Sequence, residues 1–258
     1  MDGLPCVPAA RGSRASGDQE TAIPAKVDPA SAKSTVSTVW ERRSSGEQVA
    51  LYVRSLVFAG ELRPGDRVPQ DEVARALGVS RIPVREAIIS LEREGLVSIE
   101  PHRGAFVNSI TQETVRDQYE LYGLAFGLAV RRATERGGDA FVDELGAVHR
   151  KLAAATDADE FAACNDAFLG LIVDTAQSPR VQAVLRVLSG LVPGNYFVEV
   201  PGALATQRRG TAAMMRAVRK HGGDAAADEC LRMMRRQGEA VIELLDQRGF
   251  FDVRATSD

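Results

Sequence analysis

Cysteine is scarce in this chain: Cys6, Cys164 and Cys230 are widely separated and form no CxxC pair. That spacing argues against a disulfide framework and against a structural zinc site, and it fits a reducing compartment. Lysine is nearly missing as well. It occurs only at positions 26, 33, 151 and 220, so almost all positive charge is arginine, whose planar fork suits phosphate and guanine. Aromatic residues make up 5% of the sequence, which favours helices over a sheet sandwich. The longest apolar stretch, "LYGLAFGLAV" (121–130), is too short to cross a bilayer, and no basic segment followed by an apolar run opens the chain. The expectation is a soluble cytoplasmic protein with no membrane insertion. An excess of positive charge is also absent, since 32 Lys and Arg face 35 Asp and Glu for a net charge of -3. Any nucleic-acid surface must therefore be local. A nucleophile elbow, a phosphate loop and an HExxH pair are all lacking, so the chain reads as a non-enzyme, with a small helical enzyme as the rival.

What is present divides the chain in three. Residues 1–39 are rich in Ala, Ser, Pro, Gly and Thr without a sustained period, the composition of a disordered tail. Residues 40–110 alternate short helical patterns with turns. From 111 to 250 amphipathic helical stretches follow one another, broken at "RGGD", "TDAD", "QSP", "VPGN", "VPG" and "HGGD". Thr111 suits the N-cap that opens this second part, with Glu113 in the first turn. No internal repeat is visible.

Within 40–110, "SSGEQVALYVRSLVFAGEL" predicts a helix with Val49, Val53, Leu56 and Val57 on one side, ending near Gly60. "DEVARALG" predicts a second, short helix whose inner face is Val73, Ala76 and Leu77. Gly78 then permits the positive φ of a tight turn. Ser80 fits an N-cap and Pro83 falls in the first turn of a third helix, where its missing N–H is harmless. Val84, Ala87, Ile88 and Leu91 follow helical spacing and must face inward, which sends Arg81 and Arg85, one turn apart, to the outer face. Gly95 ends that helix. "LVSIE" and "AFVNS" flank "PHRG" as a two-stranded hairpin. The fold class is mainly α, an N-terminal winged helix-turn-helix with a small β wing followed by a C-terminal all-α bundle.

A helix in the major groove reads base edges through its first residues, and arginine bonds bidentately to guanine O6 and N7. Arg81 and Arg85 occupy those positions. Ser80 and the amides at the helix start can hold a phosphate, and Arg103 beside Gly104 can enter the minor groove at the wing tip. Residues 40–110 contain ten arginines and ten acids, so only clustering can favour DNA. Arg81 or Arg85 alone would read as a solvated helix face, and an apolar outer face would suit a protein-interaction module. The arginine pair, the helix-turn-helix and the wing arginine together favour double-stranded DNA. His102, in the turn, is equally well placed for DNA or for water.

The stretch "LRPGDRVPQDEVARALGVSRIPVREAIISLEREGLVSIEPHRGAFV" resembles the DNA-binding domain of GntR-family bacterial transcriptional regulators over residues 45–110, most specifically in "GVSRIPVREAI" and "RGAFV". The remainder resembles, more weakly, the FCD effector domain of the FadR branch. The resemblance implies operator contacts by Arg81, Arg85, Arg103 and Gly104, a homodimer on a palindromic operator, and a small-molecule effector that controls a repressor. One departure concerns Asp71, at a position where the founding acyl-CoA-responsive regulator has a DNA-binding arginine, which implies a different operator. Another concerns metal. Where many FCD domains carry a "DxxFH" ligand helix, this chain has "NDAFL", with Asn165 and Leu169 at the ligand positions. Thr211 stands at the third and the fourth falls at 235–237, so no metal and no cofactor is expected. His149 and His221 lack ligand spacing. Tyr122 and Phe126 in "YELYGLAF" replace a charged pair that commonly faces the cavity. These changes imply an apolar, lipid-like effector contacted by Tyr122, Phe126, Asn165, Leu169, Arg186 and Thr211. The alternative is a cavity filled by Tyr122, Phe126, Phe168 and Leu169. Asp166, Asn195, Tyr196 and Arg186 are candidate polar contacts that suit a surface or helix end better, and Met214, Met215, Met233 and Met234 read as core.

Overall fold

A computed structural model describes residues 44–189 and 196–251. The expected tail at 1–39 and the candidate contact Asn195 lie outside the described residues. Helix α1, Ser45–Phe58, begins in a capping box: Ser44 Oγ accepts from the Glu47 amide at 3.2 Å while Glu47 returns a carboxylate oxygen to the Ser44 amide at 2.9 Å. Its buried face includes Val49, Val53, Leu56 and Val57. Helix α2, Gln70–Leu77, ends at Gly78 with φ of 64°, a conformation that costs glycine no steric clash. One inner-face assignment is corrected here. Val73 is buried and Leu77 packs partly buried against the core as expected, but Ala74 joins them in place of Ala76, which is exposed.

Helix α3, Arg81–Arg93, buries Val84, Ala87, Ile88 and Leu91, largely against α1. The hairpin pairs β1, Val97–Glu100, with β2, Gly104–Val107, antiparallel in the register Val97 to Val107 through Glu100 to Gly104. The segment before α2 lies along the other edge of β2. Val68 donates to Ala105 O and Val107 donates to Asp66 O, at 2.8 and 2.9 Å. The wing is thus backed by a third, irregular strand that the hairpin pattern did not announce.

The remaining chain is helical. Helix α4, Gln112–Ala154, starts at Thr111, whose side chain accepts from the Thr114 amide. The expected break at "RGGD" is present as a kink that divides α4 into two helical stretches, where Gly138 alone takes a non-helical conformation (φ 58°, ψ -158°). Helices α5 (Ala158–Ala176), α6 (Pro179–Leu188), α7 (Tyr196–Glu199), α8 (Ala203–Val218) and α9 (Gly223–Gln247) follow. Helix α4 packs along α9 and α5, and α8 closes on α9. Phe126, Phe161, Phe168, Met214, Met215 and Met233 fill the interior, with Met234 buried beside them. Among the described residues no helix is long and apolar enough to cross a membrane. Arg248, just past α9, reaches between the two parts: it donates to Phe58 O at the end of α1 (2.5 Å) and pairs with Glu199 of α7 (2.8 Å).

The α8–α9 contact is tight enough to need glycine. A Cβ at Gly210 would overlap Met233 along its side chain, including its Cβ at 2.9 Å. Gly210→Ala is expected to lower stability by about 1–3 kcal/mol, the scale of overpacking in a filled core. Urea unfolding followed by far-UV circular dichroism checks this, and an unchanged midpoint would mean that α8 and α9 can separate freely.

Candidate nucleic-acid interface and effector core

The outer face of α3 is set by its inner one. With Val84, Ala87, Ile88 and Leu91 packed, Arg81, Ile82, Arg85 and Ile89 are exposed. Ser80 occupies the N-cap position in an extended conformation, but its hydroxyl makes no capping hydrogen bond. The first amides of α3 therefore receive no side-chain cap from it. A cleft of about 180 Å³ opens between the starts of α2 and α3, lined by Arg67, Gln70, Asp71, Arg81, Val84 and Arg85 among others.

Arg81 is not alone in that cleft. Its Nε lies 2.8 Å from Asp71 Oδ1 and its Nη2 donates to Oδ2 at 3.0 Å, a two-pronged pair. The two side chains are 72% and 52% exposed. At that exposure the pair contributes little to stability, so a phosphate or a base edge can displace the carboxylate at small cost. The tip of the wing is arranged likewise. Arg103 pairs with Glu100 and lies over the Phe106 ring, 5.3 Å from its centroid. Gly104 has φ of 110°, and a Cβ there would stand 2.9 Å from Arg67 Nε. The left-handed turn is what calls for glycine there, since the Arg67 guanidinium could swing aside. His102 takes φ of 62° in the same turn.

A different pair fixes the orientation of α3. Arg54 of α1 and Glu94 at the end of α3 form an ion pair with side chains only 11% and 9% exposed, and Ser90 donates to the same carboxylate at 3.1 Å. This clamp escaped the sequence reading because an arginine and a glutamate forty residues apart carry no local signal.

In the helical part, the predicted contacts do not form one group. Asn165 and Thr211 are buried, and both meet a residue the motif reading missed, Gln207. Gln207 Nε2 donates to Asn165 Oδ1 at 2.5 Å, Gln237 donates to Gln207 Oε1, and Thr211 Oγ donates to Gln207 O at 2.9 Å. A chain of neutral amides thus runs across α5, α8 and α9. Amides supply no negative charge, and zinc sites are built from thiolate, imidazole and carboxylate. Among the described residues no group of three or more His, Cys, Asp or Glu is placed to hold a metal. The signal for Gln207 was available, since Ala203, Gln207, Gly210, Thr211 and Met214 share the buried side of α8 and the glutamine is the one long polar side chain among them.

Phe126 and Phe168 are fully buried, Tyr122 stacks on Phe126 with centroids 6.1 Å apart, and Leu169 packs against the core. Arg186 lies exposed on α6, away from this interior. The expectation of surface positions for Asp166 and Tyr196 is corrected: both are buried, Asp166 because it falls on the inner side of α5, and Tyr196 because α7 lays its first turn into the core. A second cleft, about 240 Å³, lies between α4 and α9 and is lined by Leu124, Leu128, Arg131, Asp224, Asp228 and Leu231 among others. Burial also sets the titration of two groups. The Cys230 thiol is pushed up to about 12, so it stays protonated, and His149 is lowered by burial and then by Arg219, so it stays neutral.

Comparison with known proteins agrees with this geometry. Residues 45–107 match the family of bacterial regulatory proteins called gntR, and residues 126–236 match the FCD domain. An uncharacterized HTH-type transcriptional regulator of Mycobacterium tuberculosis is 37% identical over 152 residues, 59% of this chain and 62% of that protein. A second such regulator, from Bacillus subtilis, is 27% identical over 54% of this chain and 64% of its own length. The chain thus spans less than two thirds of these relatives. Among solved structures, E. coli McbR/YncC superposes with a TM-score of 0.56 at 20% identity, covering 80% of this chain and 99% of that one, a likeness of fold. The chain thus carries a domain of the gntR family of bacterial regulatory proteins followed by an FCD domain.

Proposed function

We propose that the protein is a transcriptional repressor that binds a palindromic operator as a homodimer in the cytoplasm and responds to a lipid-like effector. The observation that carries this reading is the pair of exposed guanidinium groups of Arg81 and Arg85 at the start of α3, in a cleft shared with Arg67 and flanked by the wing. Arg81 and Arg85 read guanine edges in the major groove. Ile82, 68% exposed between them, faces a thymine methyl. Ser80 and the uncapped first amides hold a phosphate, while Arg103 and Gly104 place the wing in the adjoining minor groove. A two-fold operator follows from a two-fold dimer.

A protein-interaction head has one observation in its favour, the exposure of Ile82 and Ile89 on α3. The two arginines on that same face outweigh it, because burying them against an apolar partner would cost their hydration. The two matched domains and the names of the relatives favour regulation over catalysis. The effector acts through differential affinity for two placements of the reading heads. Residues 106–112 connect the two parts, and Arg248 offers a second link through Phe58 O and Glu199.

Arg85→Ala is expected to weaken specific operator binding by about 1–3 kcal/mol per half-site, read by gel-shift titration against a promoter fragment selected from the host genome. Unchanged affinity would remove Arg85 from the reading face. Asp71→Asn keeps the shape but releases Arg81 and removes a repelling charge. It should tighten binding to non-specific duplex by up to about 1 kcal/mol, the scale of an exposed ion pair. Fluorescence anisotropy at two salt concentrations measures this, and weaker binding would show instead that Asp71 holds Arg81 in its reading orientation.

A further inference from the structure

Half of the large apolar side chains that stand out of this molecule share one face. Among the described residues eight such side chains are exposed, and four of them, Leu121 and Leu124 of α4 with Val184 and Val187 of α6, are each 48–55% exposed. Helix α6 runs antiparallel beside α4, since Gln118 donates to Leu188 O near one end and Arg132 to Ser178 Oγ near the other. With Val181 and Leu185 turned inward, the right-handed winding of α6 sends Val184 and Val187 to the flank that adjoins Leu121 and Leu124. On the opposite flank α9 closes up to α4 at Gly123 and Gly127, where a Cβ would meet Leu231 and Ala227. The cleft of about 240 Å³ lined by Leu124, Leu128 and Leu231 lies there. A contiguous apolar face of this kind, rimmed by charge, marks an interaction surface.

We propose that this face pairs with the same face of a second copy of the chain, α4 against α4 antiparallel, about a two-fold axis at Leu124. The proposal rests on the homodimer reading above and names the surface which that reading needs. The seam carries its own register. Asp117, Leu121, Leu124, Leu128 and Arg131 recur at alternating steps of four and three, which draws one line along α4 with leucines in the middle, an acid at one end and a base at the other. Asp117 is exposed and forms no ion pair among the described residues. Arg131 is held only loosely, by Glu135 at 3.8 Å and Asp224 at 3.4 Å. About 21 Å of helix separates Asp117 from Arg131, so the two cannot meet within one chain.

A parallel pairing would set acid on acid and base on base. The antiparallel pairing centred on Leu124 sets Asp117 beside the partner's Arg131, Leu121 beside the partner's Leu128, and Leu124 on its own copy. The same axis carries α6 of each molecule over the α4–α9 cleft of the other, where Val184 and Val187 cover the partner's Leu231. The surface is thus complementary to itself, as an isologous interface demands. It also suits the reading heads. Each α4 begins at Gln112, about 18 Å of helix from the axis, so the two heads start about 36 Å apart, on the scale of one duplex turn.

Sedimentation velocity of the full chain, over a dilution series from micromolar to nanomolar, tests the face. The wild type is expected to dimerise. Leu124→Arg sets like charges together at the axis and should raise the dimer dissociation constant at least about thirtyfold, the effect of a central interface residue, with far-UV circular dichroism unchanged. Asp117→Arg and Arg131→Asp should each weaken the dimer about tenfold, while the double variant returns to within about threefold of the wild type. That rescue reads a contact between copies, which a role inside one chain would not produce. A dimer that survives Leu124→Arg, or single reversals that the double variant does not repair, would overturn the face and leave the homodimer reading intact. A wild type that stays monomeric throughout would overturn both, and would assign the face to the segment before residue 44 or to a different protein.

Discussion

The inward packing of one helix decides what this molecule presents to its surroundings. Val84, Ala87, Ile88 and Leu91 commit one side of α3 to the hydrophobic core, and the buried Arg54–Glu94 clamp fixes the helix about its own axis. Helical geometry then leaves no freedom in where Arg81 and Arg85 point. The clamp is costly to break from one side only, because removing either partner would strand a charge in a poorly hydrated place. It acts by setting orientation more than by adding stability.

The reading surface holds its cations in readiness without exposing them naked. Arg81 leans on Asp71 and Arg103 on Glu100, which keeps the head electrically balanced, in line with its equal numbers of arginines and acids. On the proposed DNA-binding reading, phosphate or base would replace each carboxylate, and the acids would stand near the duplex as a penalty wherever no adequate replacement contact forms, favouring selectivity over raw affinity. This differs from a strongly basic domain, whose attraction to any duplex is large and indiscriminate.

How much of this was legible in the sequence differs by element. The three helices and the hairpin of the head were readable because each carries its own punctuation: Ser44 and Glu47, Gly78, Ser80 and Pro83, and Gly95. The error at Ala76 arose because the inward side of α2 is centred on Val73, Ala74 and Leu77, which turns Ala76 outward. In the helical part the breaks at "RGGD", "TDAD", "QSP" and "HGGD" were readable, the first being the single non-helical residue Gly138 between two helical stretches of α4. The interior polar groups were hardest. Gln237 and Arg248 owe their roles to partners 30 or more residues away, and a single sequence holds no sign of such pairings.

The close approach of Arg67 to Gly104 has a mechanical meaning. With the backbone of the β turn resting on a guanidinium that also borders the α2–α3 cleft, and with residues 65–68 bonded along β2, the hairpin and the helix mouth form one template of fixed spacing. On the proposed DNA-binding reading, a duplex whose groove dimensions differ from that spacing would have to bend or compress to engage both at once, at an energy set by base steps that no side chain touches, so stiffness of the nucleic acid would become part of what is recognised.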